Sequence, residues 1–140
     1  MEPRSIFSPV LALVLLTFLV WVRMYTVRVP AVLKSGFTAQ QLDDAGRMEE
    51  VLKVAAKPSD NLVNLLEVPV LFYVATLVIF VAGLVDARFV QLAWVYVALR
   101  AIHSLVACTI DRTMFRFGAY FTSSLVLFAI WIRIAVQLNG

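Results

Sequence analysis

Four long apolar segments divide this chain of 140 residues, and they restrict it to a membrane-spanning fold. They cover about residues 6–29, 61–85, 88–110 and 115–138. A helix needs about 20 apolar residues to cross the hydrocarbon core of a bilayer, so each segment is long enough. Inside a bilayer the backbone must satisfy its own hydrogen bonds, which favours helices. Hydrophobic residues make up 62% of the chain, whereas a soluble domain is nearer half apolar. We therefore expect an all-α integral membrane protein.

Short connections between the later segments predict how the helices are arranged. Few residues separate the second segment from the third, or the third from the fourth. Short links place consecutive helices side by side in opposite directions, so we expect an antiparallel four-helix bundle that forms a single domain, 1–140.

The first connection, about residues 34–60, is much longer and has its own pattern. Thr38-x-x-Gln41 is a candidate capping box. After it, apolar residues recur at helical spacing among charged ones; they are Leu42, Ala45, Met48, Leu52 and Ala55. We expect one amphipathic helix, which either lies on the membrane interface, folds over a site, or merely joins two spans.

Two prolines predict interruptions of the helices. Pro30 follows the first apolar segment and is expected to lie just beyond its end. Pro69 lies inside the second segment, two residues after the acidic Glu67. A proline there removes one intrahelical hydrogen bond and frees the carbonyl of Leu65, so we expect a kink.

The basic residues indicate the topology of the chain. The net charge is +3, but the basic residues lie at span ends and in loops, not in a patch that would suit nucleic acid. Most of them lie in or near the first and third connections; they are Arg23, Arg28, Lys34, Arg47, Lys53, Lys57, Arg112 and Arg116. The positive-inside rule then predicts that these two connections are cytoplasmic and that both termini face outward. We expect Arg133, near the outer end of the last segment, to snorkel outward.

The chain has one cysteine, Cys108, and one histidine, His103. A lone cysteine excludes an internal disulfide and a thiolate cluster. With a single histidine as well, the residues argue against a protein-built zinc site, so we expect no metal. We expect Cys108 to be a small packing residue.

Arg100 is the most informative polar residue, because it lies near the middle of the third apolar segment. A guanidinium at that depth costs about 2.5–3.5 kcal/mol even on insertion scales. It cannot lose its proton to escape this cost. Arg100 must therefore face a protein interior or a wet cavity and find a partner there. His103 and Ser104 follow about one helical turn later, on the same face.

A second polar stripe on the second segment includes Asn64 and Glu67, three residues apart. From the helical rise, Glu67 lies about 8 Å, His103 about 10 Å and Arg100 about 15 Å from the cytoplasmic end. Because the two helices are antiparallel, the stripes converge. We expect a Glu67–Arg100 contact, direct or through His103, in a cationic pocket with Arg116 at its cytoplasmic mouth. Alternatively, Asn64 and Glu67 only stabilise helix packing.

We expect the aromatic residues of the spans to face lipid or to pack between helices. They are Phe72, Tyr73, Trp94, Tyr96, Tyr120 and Trp131. None of them is needed to explain a cofactor site.

Three motifs together resemble the MAPEG family, the membrane-associated proteins of eicosanoid and glutathione metabolism. They are Asn64-x-x-Glu67 followed by Pro69, then Arg100-Ala-Ile-His103-Ser104, and Arg116 sixteen residues after Arg100. The pattern looks like the microsomal glutathione transferase branch and its short bacterial relatives. One position departs from the family, which usually has an arginine four residues before the signature asparagine. This chain has Asp60 there, and Lys57 holds the same spacing only from Asn61.

The resemblance implies a homotrimer in a membrane, expected to be a bacterial inner membrane, with glutathione held as cosubstrate between protomers. An apolar electrophile would arrive from the bilayer, and Arg116 would stabilise the glutathione thiolate. The residues expected to hold the tripeptide are Asn64, Glu67, Arg100, His103 and Ser104. The alternative is a non-catalytic lipid-binding or scaffold protein of the same family. Under that alternative Glu67 and Arg100 are a structural pair, and Arg116 only sets topology.

Overall fold

A computed structural model describes residues 2–53, 56–109 and 113–139, which are almost entirely helical and contain no strand. A 3-10 helix, Pro3–Ile6, precedes the first α-helix. The α-helices are α1 (Phe7–Lys34), α2 (Ala39–Leu42), α3 (Ala45–Leu52), α4 (Ala56–Leu66), α5 (Pro69–Val81), α6 (Ala87–Thr109) and α7 (Thr113–Asn139). Four stretches of these residues are long and apolar enough to cross a membrane: Pro3–Lys34, Ala56–Val81, Ala87–Ala107 and Met114–Asn139. The expected all-α fold with four spans is therefore confirmed.

The spans pack around one apolar core. Helix α6 packs most extensively along α7, and α1 packs against both α4 and α6. At the centre the rings of Phe72 and Tyr96 stack with their centroids 4.7 Å apart, and both side chains are completely buried. Aliphatic side chains from all four spans surround this pair; they include Leu13, Leu65, Ile79, Ile130 and Ile134. In lipid the hydrophobic effect does not favour helix association, so this close packing is what stabilises the bundle.

The first connection folds as two short helices, so the expectation of one amphipathic helix is wrong. The capping box exists: the Thr38 N–H donates to Gln41 Oε1 at 2.9 Å, and the Gln41 N–H donates to Thr38 Oγ1 at 3.4 Å. However, α2 ends one turn later, because Asp44 is extended and its side chain accepts from the Gly46 N–H at 2.9 Å. Aspartate favours such capping positions over helix interiors. Ala55 lies outside the described residues.

Both prolines affect the helices, but in different ways. Helix α1 does not stop before Pro30 and continues to Lys34. The carbonyl that Pro30 frees belongs to Thr26; both residues are exposed, so headgroups or water can satisfy it. At Pro69 the second span does break: α4 ends at Leu66 and α5 begins at the proline itself. As first residue of a helix, a proline loses no intrahelical hydrogen bond.

The end of the bundle that carries α2 and α3 is called here the α3 end. At the opposite end, Asp86 lies in the connection between α5 and α6, and its side chain contacts both α6 and α7. One oxygen of its carboxylate accepts from the Phe89 N–H at 2.8 Å and caps α6. Its other oxygen accepts a hydrogen bond from Arg133, whose guanidinium lies 4.5 Å from the centre of the Phe89 ring. The side chain of Arg133 is only 22% exposed. Arg133, which we expected to snorkel toward the outer end, pairs at this end of the bundle with the carboxylate of Asp86.

We predict that Asp86→Ala lowers the free energy of unfolding by about 1–2 kcal/mol, since it removes both the helix cap and the ion pair. Asp86→Asn should cost less, because an asparagine oxygen still caps the helix. Thermal unfolding in detergent, followed by tryptophan fluorescence, measures both. The matched control is Asp43→Ala, which removes an exposed carboxylate of the first connection. Equal effects at Asp86 and Asp43 would contradict the assigned role.

Candidate functional site

A cavity of about 240 Å³ lies where α4, α6 and α7 meet. Its lining residues are Asn64 of α4, His103 of α6, and Arg116, Phe117 and Tyr120 of α7. Arg116 and Asn64 are half-buried in its wall. No Asp or Glu is among the described residues that line it. The wall therefore combines one guanidinium, polar groups and aromatic rings, and it is suited to an anion.

Arg100 lies beside this cavity and is completely buried. Its Nε donates to the Tyr96 hydroxyl at 3.2 Å. The guanidinium carbon is 4.7 Å from the centre of the Tyr120 ring and 5.4 Å from that of Tyr96. Among the residues that the structure describes, nothing accepts a hydrogen bond from its two terminal nitrogens, Nη1 and Nη2. The positive charge is thus stabilised by aromatic rings and by one hydroxyl, without a counter-ion.

His103 connects α6 to the beginning of α7. Its Nδ1 lies 3.0 Å from the backbone carbonyl oxygen of Arg116. Because a carbonyl only accepts, this contact assigns the proton to Nδ1 and leaves Nε2 as an acceptor in the neutral ring. Within the described part of the chain, Nε2 is buried and has no partner. The contact also fixes the backbone from which the Arg116 side chain extends.

Ser104 connects α6 to α4 and does not line the cavity. Its hydroxyl donates to Asn61 Oδ1 at 3.2 Å, and the two residues are 3% and 1% exposed. Such polar contacts between membrane helices contribute on average about 0.6 kcal/mol. This bond fixes α4 against α6 at Asn61, one helical turn before Asn64. Ser104 therefore helps to position the part of the cavity wall that α4 contributes.

The structure brings most of the predicted site residues together, but not all of them. Asn64, His103 and Arg116 line the cavity, whereas Arg100 is buried beside it. Glu67 is exposed at the break between α4 and α5. Arg112 and the side chain of Cys108 lie outside what the structure describes.

The expected Glu67–Arg100 contact is wrong within this chain. Leu65 is buried in the bundle, and a residue two positions later points to nearly the opposite side of a helix. Glu67 therefore turns away from α6, and Arg100 takes the hydroxyl of Tyr96 instead.

Two tyrosines of the site were not predicted from the sequence. Tyr96 and Tyr120 were expected only to pack or to face lipid, yet their rings enclose the guanidinium of Arg100. The Tyr120 ring also lies 5.7 Å from the His103 ring, centre to centre. A signal was present: Tyr96 precedes Arg100 by four residues and shares its helix face.

We predict that Tyr120→Leu lowers the free energy of unfolding by about 2 kcal/mol, because it removes a π face from a desolvated cation. Tyr120→Phe should have a much smaller effect, since the ring remains. The measurement is the unfolding midpoint in detergent, with Phe121→Leu as control for losing an exposed ring.

In an Arg100→Met background the penalty of Tyr120→Leu should shrink, because the cation is gone. Equal penalties in both backgrounds would show that the ring does not stabilise Arg100.

Comparison with known protein families matches residues 6–136 to the MAPEG family. The match covers nearly the whole chain and reaches into all four spans. No curated protein and no solved structure matches the chain. The family includes glutathione transferases and peroxidases as well as members without catalytic activity. From the extent of this match and the four apolar helices, the chain is an integral membrane protein that belongs to the MAPEG family.

Proposed function

We propose that this protein is a glutathione-dependent transferase or peroxidase that acts on an apolar electrophile. The observation that carries the proposal is the electropositive cavity. Arg116 lines it, the unpaired charge of Arg100 lies behind Tyr120, and none of its described lining residues is acidic. Within the described residues neither cation has an acidic partner, and two such charges favour an anionic ligand. Members of this family commonly use glutathione, which carries two carboxylates and an ionisable thiol.

The chemistry requires a thiolate, and Arg116 is placed to stabilise it. A free thiol has a pKa near 8.5 and attacks as its thiolate. Lowering the pKa of the glutathione thiol by about two units requires roughly 2.7 kcal/mol of preferential stabilisation. One hydrogen bond from a charged group supplies about 1.5–3 kcal/mol, so a half-buried guanidinium is sufficient. In a transfer reaction the sulfur then bonds to the electrophilic carbon, and the leaving group departs with the bonding electrons.

The other predicted site residues have distinct parts in this proposal. The amide of Asn64 and the free Nε2 of His103 are available to bind polar groups of the tripeptide. Arg100 contributes positive potential from behind Tyr120, and its terminal nitrogens can reach an anion once that ring moves. Ser104 acts indirectly, because it holds α4 through Asn61.

In this proposal Glu67 acts at a contact between copies of the protein. An exposed carboxylate within a membrane span is costly unless it finds a polar partner. We propose that the protein forms a homotrimer, as members of the family often do, and that Glu67 meets glutathione at the contact between protomers.

The proposed topology places the cavity within reach of a cytoplasmic thiol. The basic first connection and Arg116 are at the α3 end, so the positive-inside rule assigns this end to the cytoplasm and both termini to the outside. We propose a bacterial inner membrane as the location. The apolar substrate then enters from the bilayer.

We predict that glutathione binding to the wild-type protein produces the ultraviolet absorbance of a thiolate at neutral pH. Arg116→Ala should abolish most of this signal, and Arg116→Lys should retain part of it, because a point charge remains but the planar donor fork is lost. Difference spectroscopy of the detergent-purified protein measures the signal directly.

The matched control is Arg88→Ala, which removes an exposed arginine from the opposite end of the bundle. It should leave the thiolate signal unchanged. A wild-type signal in Arg116→Ala would show that another group stabilises the thiolate.

The second candidate is a non-catalytic lipid-binding or scaffold protein of the same family. The position of Glu67 outside the cavity favours it, because this residue was expected to bind glutathione, although the Glu67–Arg100 pair expected under this alternative does not form either. We predict that the purified protein conjugates glutathione to chlorodinitrobenzene with saturation in glutathione, and that Arg116→Ala reduces the rate at least about tenfold, the effect of 1.4 kcal/mol in a barrier. A rate no higher than that of empty detergent micelles would favour the scaffold.

A further inference from the structure

A groove between α1 and α4 is separate from the polar cavity. Its inner part is an apolar space of about 480 Å³, whose wall includes Phe18 and Trp21 of α1 and Leu62 and Leu66 of α4. Toward the α3 end lies a second space of about 360 Å³, whose wall includes Arg28, Glu49, Lys53 and Ser59. None of these residues lines the cavity assigned to glutathione.

The two spaces follow the same pair of helix faces. On α1, Phe18, Trp21 and Arg28 are separated by three and seven residues, so they share one face. On α4, Ser59 and Leu62 are likewise three residues apart. The two spaces therefore lie in line along α1 and α4, and together they are called here the α1–α4 groove, with an apolar part and a charged part.

The charged part has a surplus of positive charge. Arg28 and Lys53 face it together with one acid, Glu49. Among the described residues, neither Arg28 nor Lys53 makes an ion pair or a hydrogen bond through its side chain. Arg28 is half-buried and Lys53 is exposed, so both cations remain available to an anion that approaches from the membrane surface.

The dimensions agree with a membrane lipid. The ten residues from Arg28 back to Phe18 span about 15 Å along α1, which is half the roughly 30 Å hydrocarbon thickness of a bilayer. A lipid of one leaflet would thus place its headgroup at Arg28 and its acyl chain along Phe18 and Trp21. Both aromatic rings are exposed, 57% and 45%, and they stack with their centroids 5.9 Å apart.

We propose that the α1–α4 groove binds an anionic phospholipid from the leaflet at the α3 end. Its phosphate lies between Arg28 and Lys53, and one acyl chain lies against Trp21, Leu62 and Leu66. Binding at this site does not depend on glutathione, so it holds for a catalytic and for a non-catalytic protein.

The test uses the fluorescence of Trp21 in the full chain. Trp94→Phe and Trp131→Phe leave Trp21 as the sole tryptophan. The protein is placed in phosphatidylcholine vesicles, and acyl-brominated phosphatidylglycerol or brominated phosphatidylcholine is added as quencher. We expect an about tenfold preference for phosphatidylglycerol, the size of effect produced by one or two basic residues near a headgroup.

Variants that remove positive charge and a variant that removes negative charge should change the lipid preference in opposite directions, which misfolding would not do. Arg28→Gln with Lys53→Gln should remove the preference, whereas Glu49→Gln should increase it. The matched control is Arg23→Gln with Lys34→Gln, which removes two exposed charges of the same helix that do not line the groove. Native mass spectrometry of the unmutated chain should show retained phosphatidylglycerol after delipidation, whichever way the tryptophan variants fold.

Equal quenching by the two lipids would overturn the proposal, and so would an equal loss of preference in the control pair. Trp21 shielded from both lipids would show that a second copy of the chain covers the groove, which also overturns it.

Discussion

A guanidinium that two tyrosine rings enclose inside the bundle, with no counter-ion among the described residues, is the constraint on which the site depends. Arg100 cannot be neutralised, and its terminal nitrogens have no acceptor among the described residues. The Tyr96 hydroxyl accepts a hydrogen bond from this cation, and the Tyr96 ring stacks on Phe72 in the core. Packing of the core therefore fixes the charge in place. Tyr120, on the other side of Arg100, lines the cavity. The positive charge of Arg100 therefore adds to that of Arg116 at the cavity wall.

The spans of this protein could be predicted because lipid leaves the backbone few alternatives. Apolar length and short connections were enough for four helices, and the missing N–H of proline was enough for the interruption at Pro69. The first connection was harder, because its apolar spacing suits one helix while the local preference of Asp44 for a capping position divides it in two. The first helix was expected to end before Pro30 but continues to Lys34. At an exposed helix end, the hydrogen bond that a proline removes costs little free energy.

The site could be predicted where spacing along one helix, or a short link between two helices, decides the outcome. His103 and Arg116 meet through a backbone contact that the short link between α6 and α7 makes geometrically natural. The predicted contact of Glu67 with Arg100 was wrong because the direction of Glu67 depends on which face of α4 is buried and on the break two residues later. The spacing of polar residues gives neither. The contact of the two tyrosines with Arg100 was not predicted, because an aromatic residue in a span can pack against lipid, against another helix or against a cation. Only the neighbouring residue in the fold distinguishes these roles.

The fold separates a polar cavity between α4, α6 and α7 from an amphipathic groove between α1 and α4, so the sites proposed for glutathione and for a lipid do not overlap. The most direct measurement of the central claim is calorimetric titration of the purified protein with glutathione. Saturable binding that weakens in both Arg100→Met and Arg116→Ala, and with rising salt, is the result that an electropositive cavity predicts. Absence of saturable heat in the folded wild-type protein, or binding unaffected by either substitution, would contradict it.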